Sequence, residues 1–229
     1  MKNLALITAR GGSKRILKKN IKNFHDKPII YYSINTAINS KIFDYVMVST
    51  DDKEISKISK QFGAKVPFYR SKKNSDDYST TSDVITEVLN ELKKINLEFD
   101  NVCCIYPTAP FLTDEMLSLS GKILEKEDVD SIISITKFSY PIWRGFKLNS
   151  NNSVEYLWPE NELKRSQDLP AVYHDAGQFY FFKVSSFLDQ KTLIMKKNKA
   201  IILSNDKVQD IDTIEDWKIA ELKYSLLNK

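Results

Sequence analysis

Apolar residues recur along this chain in two rhythms. Leu4-Ala5-Leu6-Ile7, Tyr45-Val46-Met47-Val48-Ser49 and Val102-Cys103-Cys104-Ile105-Tyr106 are nearly unbroken apolar runs. Runs of that length, bounded by turn residues, read as strands buried on both faces, as in a parallel sheet. Between them the spacing becomes helical. After the turn His25-Asp26-Lys27-Pro28, a stripe of Ile30, Ser33, Ile34, Ala37 and Ile38 predicts a helix that Pro28 can open. Further helices are expected over residues 54–62, ended by Gly63, over 84–95, from Thr113-Asp114-Glu115 onward, and over 214–226. Shorter strands are expected at 66–69, near an edge because of Pro67, and at 131–136, 178–182 and 200–203. Strand and helix alternate, so the expected fold is α/β, with a mainly parallel central sheet covered on both faces.

The alternation fails between about residues 137 and 177. That stretch holds Tyr140, Pro141, Trp143, Tyr156, Trp158, Pro159 and Tyr173 among asparagines and charges. It reads as an inserted lobe of hairpin and loops within a single domain spanning 1–229. Its aromatics suit ligand walls or a contact with a partner chain.

Composition narrows the picture. With 42% hydrophobic and 28% charged residues, the 229-residue chain has an ordinary globular make-up. There is no leading apolar segment of signal type and no membrane-length apolar run, so a cytoplasmic location is expected. The net charge of +4 permits anionic substrates without suggesting nucleic-acid binding. Cys103 and Cys104 are adjacent in a strand-like run and read as core residues, not as a disulfide or metal site. The chain has just five arginines, Arg10, Arg15, Arg70, Arg144 and Arg165, against a large excess of lysine. Arginine is suited to places where a planar fork is needed, and four of the five fall in segments singled out for function.

The first strand empties into Arg10-Gly11-Gly12-Ser13-Lys14-Arg15, with Lys18, Lys19 and Lys22 beyond. Glycines let backbone N–H groups approach an anion, Arg10 can grip phosphate oxygens with two parallel bonds, and Lys14 and Lys19 add point charges. The loop is neither Gly-x-x-x-x-Gly-Lys-Ser/Thr nor Gly-x-Gly-x-x-Gly, so it matches no common nucleotide fingerprint. A lysine-rich solvated turn is the competing reading. Asp51 and Asp52 follow a strand, where ligands gather in such folds, although helix capping explains them equally. Ser79, Thr80 and Thr81 offer hydroxyls at a helix start. Near the end, Asp210 and Asp212 are two apart, so an extended backbone points both carboxylates to one side. Such a pair suits Mg²⁺; the alternative is that Asp212 caps the following helix.

The motifs Arg10-Gly11-Gly12-Ser13-Lys14 with Lys19-Asn20, Val48-Ser49-Thr50-Asp51-Asp52, Arg70, Tyr106-Pro107-Thr108-Ala109-Pro110 and Gln209-Asp210-Ile211-Asp212-Thr213 together resemble the CMP-sialic acid synthetases, the sugar-activating cytidylyltransferases. The resemblance spans nearly the whole chain. Arg165-Ser166-Gln167-Asp168-Leu169-Pro170 and the run from Tyr173 to Tyr180 resemble most the pseudaminate branch of that family. Two positions depart: Leu17 stands where proline is expected, and Tyr106 where sialate enzymes often carry glutamine.

The resemblance implies a Rossmann-like nucleotidyltransferase fold whose insertion serves dimerisation and sugar binding. It implies CMP transfer from CTP to a nonulosonic acid, with Mg²⁺ as cofactor and a homodimer as the assembly. Pseudaminic acid is the implied acceptor; N-acetylneuraminic or legionaminic acid, or a nucleotide-binding module without catalysis, are the alternatives. The implied catalytic residues are Arg10, Lys14, Lys19, Asp210 and Asp212, the last two also holding the metal. Ala9, Arg10, Gly11, Gly12, Ser13, Asn20, Arg70, Thr81 and Tyr106 fall to the nucleotide. Lys137, Arg144, Arg165, Tyr173, His174 and Gln178 fall to the sugar. The aromatics Tyr140, Trp143, Trp158 and Tyr173 are expected to give that site apolar walls.

Overall fold

The computed structural model describes residues 1–228. In chain order it forms β1 (Asn3–Thr8), β2 (Asn23–Phe24), β3 (Lys27–Pro28), α1 (Ile29–Asn39), β4 (Tyr45–Ser49), α2 (Lys53–Gln61), α3 (Thr81–Lys94), β5 (Asn101–Ile105), α4 (Asp114–Lys126) and β6 (Ser131–Lys137). Then come β7 (Phe146–Leu148), β8 (Val154–Tyr156), β9 (Tyr173–Lys183), α5 (Val184–Gln190), β10 (Asn198–Leu203) and α6 (Ile214–Leu227). Six strands make one sheet in the order β10-β6-β9-β5-β1-β4. Neighbours pair in parallel except at β9, which runs antiparallel to both β5 and β6. The expected α/β fold with a mainly parallel sheet is therefore the observed one. Among the described residues, no helix is long and apolar enough to cross a membrane.

Alternation along the strands sorts side chains to two faces. Ala5 and Ile7 of β1, with Cys103 and Ile105 of β5, meet Ile30, Ile34, Ile55, Leu117 and Leu124 from α1, α2 and α4. Leu4 and Leu6, with Val102 and Cys104, meet Val84, Ile85, Val88 and Leu92 of α3 and Phe187 of α5. The two cysteines thus face opposite layers, both fully buried and free. Burial pushes both thiols up, Cys104 to about 12.

A third apolar cluster lies off the sheet. Ile16 of the basic loop packs with Phe24, Ile29, Phe111, Ile211, Trp217 and Ala220. This cluster binds the start of the chain to its end and sets Asp210 and Asp212 opposite the loop. Truncating a side chain such as Ile211 to alanine costs about 2–5 kcal/mol, and it loosens both halves of the site together.

Two expectations about elements are corrected. Residues 66–69 form no strand: a lone bridge pairs Met47 with Lys65, and the Arg70 N–H bonds the Thr50 carbonyl at 2.9 Å. Pro67, with no N–H, cannot extend that ladder. The strand expected at 178–182 is β9, which starts at Tyr173, so the insertion occupies 138–172 rather than 137–177. The reason is a bulge: the register slips between Ile133–Tyr180 and Ile135–Asp175, and Gly177 sits there at φ +61°. Glycine adopts that left-handed conformation without strain, and sequence reading takes it for the end of a loop. The alternative for Asp212, that it caps α6, is also excluded. Thr213 caps it, in a capping box with Asp216.

Candidate active site

The carboxyl ends of β1 and β5 open on a cleft of about 710 Å³ lined by Arg10, Ser13, Lys14, Lys19, Asn20, Arg70, Thr81 and Tyr106, and by Asp76 and Asp77. The sheet order forms this cleft where parallel strands end, the place that gathers ligands in such folds. The Ala9 N–H bonds the Ser49 carbonyl at 2.9 Å, extending the strand pairing up to the loop. Asn20 is buried, and its amide donates to the Arg10 carbonyl at 2.9 Å, fixing where the guanidinium starts.

The loop backbone behaves differently from expectation. The Gly11 N–H donates to Asp51 Oδ1 at 2.9 Å, and the Ser13 N–H to the Gly11 carbonyl at 2.9 Å. Those two N–H groups are thus bonded inside the protein. The positive charge that faces the cleft comes from side chains: Arg10, Lys14, Arg15 and Lys19 all line it. Of the two aspartates after β4, Asp52 caps α2, accepting from the N–H groups of Glu54 and Ile55, while Asp51 braces the basic loop.

Each cation already meets an acidic partner. Arg10 Nη1 donates to Asp77 Oδ1 at 2.8 Å and to the Asp76 carbonyl at 2.6 Å, and Lys14 pairs with the same Asp77. The Lys14 and Arg10 contacts hold the Asp77 carboxyl below the usual carboxylate range. Arg15 meets Asp212 Oδ1 at 2.8 Å, and Lys19 reaches it at 3.4 Å while donating to the Ile211 carbonyl at 2.6 Å. Arg70 is buried, with Nε on the Ser49 hydroxyl at 3.0 Å and Nη2 on the Ser49 carbonyl at 2.5 Å. Burial lowers its pKa, opposed by Asp51, but an arginine remains charged. Its fork therefore holds the end of β4 while its edge lines the cleft. At the start of α3 the hydroxyls divide the work: Thr80 caps the helix, and Thr81 lines the cleft close to the Tyr106 hydroxyl.

Tyr106 is the wall between this cleft and a second, of about 530 Å³, which it lines with Thr136, Ser139, His174, Asp175, Asn205, Gln209, Asp210 and Lys223. Its ring packs edge-on against Tyr180 at 5.8 Å, and the Tyr180 hydroxyl donates to Asp175. Burial raises the pKa of both phenols, so each is a neutral donor near neutral pH. The bulge in β9 presents Asp175 here, and Asp175 also accepts from the Gly177 N–H at 2.8 Å. Asp210 stands at the edge of the same cleft. Although its side chain reaches solvent, protein on its inner side raises its pKa, and the Asp212 carboxylate raises it further, against Lys19. The two carboxylates repel one another and are hard oxygen donors, although Asp212 is here paired with Arg15 and Lys19. Among the described residues no three His, Cys, Asp or Glu side chains gather as a metal cluster.

The residues expected at the sugar separate. His174 lines the second cleft, its ring tilted against that of Phe138 with centroids 4.6 Å apart. Gln178 is buried and donates to the Lys207 carbonyl at 2.6 Å, bracing the turn before Asp210; it does not line the cleft. Lys137, Arg144, Arg165 and Tyr173 do not line it either. Arg165 is tied to Asp168 at 2.6 and 3.1 Å. The expected aromatic walls are elsewhere too: Trp143 and Trp158 pack on each other at 5.3 Å, Trp143 donates to the Pro170 carbonyl, and Tyr140 is exposed. Sequence reading missed Asp77, Asp175 and Lys223. The first two carried a weak signal, as acids beside motifs already singled out; Lys223 carried none.

Residues 4–228 match the family model described as Cytidylyltransferase. The chain belongs to the cytidylyltransferase family. It is 43% identical over 227 residues to the pseudaminic acid cytidylyltransferase of Campylobacter jejuni, covering 99% of this chain and 97% of that relative. It is 30% identical over 224 residues to the CMP-N,N'-diacetyllegionaminic acid synthase of Legionella pneumophila, covering 96% and 95%. Among solved structures, a CMP:2-keto-3-deoxy-manno-octonic acid synthetase complexed with CTP superposes with a TM-score of 0.70 at 16% identity, covering 99% of this chain and 100% of that one, a likeness of fold. The chain is thus a nucleotidyltransferase enzyme.

Proposed function

We propose that this cytidylyltransferase transfers CMP from CTP to the anomeric hydroxyl of pseudaminic acid and releases pyrophosphate. The observation that carries the reading is the shared wall: Tyr106 lines both the basic cleft and the neighbouring polar cleft. Two substrates in adjoining clefts can bring their reacting atoms together. The similarity to the pseudaminate enzyme, over nearly the full length of both chains, supports the choice of acceptor.

In this reading the triphosphate lies among Arg10, Lys14 and Lys19, with the nucleoside toward Arg70, Thr81 and Tyr106. The sugar oxygen attacks the α-phosphorus, a P–O bond forms, the bond to the pyrophosphate oxygen breaks, and the hydroxyl proton leaves to a carboxylate or water. The chain's contribution is positioning and neutralisation of phosphate charge. Asp210 and Asp212 would hold Mg²⁺, which is commonly bound by one or two carboxylates with substrate oxygens and water. When bound, the ion supplies further neutralisation of charge on the phosphates.

The insertion supports a homodimer. Phe146, Leu148, Val154 and Leu163 are exposed on it, and Lys137, Arg144, Arg165 and Tyr173 on or beside it would serve the site of a partner copy. The test is to offer CTP with pseudaminic, legionaminic and N-acetylneuraminic acids, follow pyrophosphate and identify each CMP-sugar by mass. Pseudaminate is expected to be activated best. A preference for another acid overturns the acceptor, and no turnover with any of them overturns the reading.

A further inference from the structure

The function proposed above sets Asp210 and Asp212 beside a divalent cation, and this inference rests on that reading. Asp212 Oδ1 meets Arg15 Nη2 at 2.8 Å and Lys19 Nζ at 3.4 Å. Arg15 and Asp212 are 197 positions apart in the chain, and the fold brings them together. Their neighbours Ile16 and Ile211 are buried in one apolar cluster with Trp217. The Asp212 N–H donates to Asp216 Oδ2 at 3.1 Å, so the first turn of α6 fixes the backbone that carries the carboxylate. Lys19 is fixed as well: its side chain is largely buried, and its ammonium donates to the Ile211 carbonyl at 2.6 Å. Arg15 is the movable member, because its side chain is 69% exposed and among the described residues its one ion pair is with Asp212.

A guanidinium and a divalent ion at one carboxylate oppose each other. Both neutralise the same charge, and two cations held side by side repel. An exposed pair such as Arg15–Asp212 is weak, so the guanidinium can be drawn away. Arg15 also lines the basic cleft, and its fork matches phosphate oxygens better than it matches a carboxylate shared with Lys19. Nucleotide phosphates in that cleft therefore pull Arg15 from Asp212 and open the carboxylate to the metal. We propose that Arg15 competes with the divalent cation for Asp212, so that metal and nucleotide bind with positive coupling. By reciprocity, whatever the nucleotide adds to metal affinity the metal adds to nucleotide affinity. Arg15 is then a positioning residue that sets when the metal site forms.

An arginine that merely ties the basic loop to residues 211–212 is the alternative, and metal binding separates the two. Mn²⁺, which favours the same hard oxygen ligands as Mg²⁺, is titrated into nucleotide-free protein and its unbound fraction is counted by electron paramagnetic resonance. Wild type, Arg15→Gln, Arg15→Lys, Asp212→Asn and the double variant Arg15→Gln/Asp212→Asn are compared. Arg15→Gln is expected to bind Mn²⁺ about 5- to 30-fold more tightly than wild type, the scale of one released surface pair and one removed positive charge. Arg15→Lys keeps the charge and should stay within about threefold of wild type. On the Asp212→Asn background the Arg15→Gln change should bring no gain, which ties the effect to that carboxylate. Equal Mn²⁺ affinity in wild type and Arg15→Gln, or the same gain on the Asp212→Asn background, overturns the proposal. Weaker binding in Arg15→Gln, the mark of a structural tie, also overturns it. If Arg15→Gln does not fold, Arg15→Met, which keeps the apolar stem, is read in the same way. The metal reading fails by a different result: wild-type turnover in excess EDTA rejects it and this inference with it. Turnover stopped by EDTA together with no gain in Arg15→Gln keeps the metal and rejects the competition alone.

Discussion

Arg10 and Asp77 face each other across the mouth of the basic cleft at 2.8 Å, with Lys14 on the same carboxylate. Asp77 thus occupies the guanidinium that a phosphate needs. The pair lies on the surface, and CTP has to replace it. Asp77→Asn should therefore lower the Kd for CTP by a few-fold, since exposed pairs of this kind are weak. Because the Asp77 carboxyl is held below its usual value, its contribution is present above the unfolded-state pKa and lost as pH falls through the depressed one. The gain in CTP affinity should accordingly be full at neutral pH. Calorimetric titration of both proteins with CTP checks it, and weaker binding in the variant would make Asp77 a partner of the nucleotide instead.

Arg10→Lys keeps the charge and loses the fork. Because Asn20 holds the Arg10 carbonyl at 2.9 Å, the backbone should stay in place and the fold remain intact. The expected loss in kcat/KM is about 10- to 100-fold, from charge-assisted bonds that lysine cannot reproduce together. Steady-state kinetics with a thermal melt on the same sample separates this from unfolding. Activity within twofold of wild type removes Arg10 from the phosphate site.

How much of this was legible beforehand depends on the range of the interaction. The strands β1, β4 and β5 are continuous apolar runs, and burial on both faces leaves few other readings. The Arg10 loop was legible as a basic loop behind a strand, with a solvated turn as the competing reading, and the structure turns Arg10, Lys14, Arg15 and Lys19 to the cleft. By contrast, β9 was half missed, since its bulge at Gly177 looks locally like a turn and only pairing to Ile133 and Ile135 reveals a strand. Lys223 was invisible for the same reason. On its own helix it is one lysine among many, and its meaning lies in carbonyls fifteen and eighteen residues away in sequence. Of the lobe aromatics, Trp143 and Trp158 pack edge-on against each other, a contact that no periodicity encodes.

The two loop glycines should respond differently to alanine. A Cβ on Gly11 would lie 2.9 Å from Asp52 Cβ and 2.9 Å from its Oδ2, and Asp52 is fixed by its caps to Glu54 and Ile55. Gly11→Ala must therefore displace either the loop or the α2 cap. The latter costs about 0.5–2 kcal/mol. Gly12 has nothing within 4 Å of an added Cβ. Gly12→Ala should melt within about 1 °C of wild type, while Gly11→Ala falls by several degrees, given roughly 2–4 °C per kcal/mol at this size. Equal melting temperatures for the two variants would show that the Asp52 contact yields freely.

Asp210 and Asp212 put opposite demands on stability and activity. Asp212 and burial both raise the Asp210 pKa, so its ionised form is disfavoured by folding. For a carboxyl with a raised folded-state pKa the sign is clear. Folding is weakened once pH exceeds that pKa, and the penalty vanishes as pH falls below the unfolded value. Asp210→Asn removes the penalty, so without metal the variant should melt at or slightly above the wild-type temperature at neutral pH, and the difference should close on acidification. Asp212→Asn behaves otherwise, because it takes a partner from Arg15 and Lys19, and it should melt no higher than wild type. Both variants should lose activity by at least about 100-fold if the pair holds Mg²⁺. In the wild type, Mg²⁺ should raise the melting temperature with bound CTP, and excess EDTA should abolish turnover. Each outcome can fail separately: turnover in EDTA rejects the metal, whereas an Asp210→Asn protein that melts lower than wild type at neutral pH rejects the repulsion read from the two carboxylates.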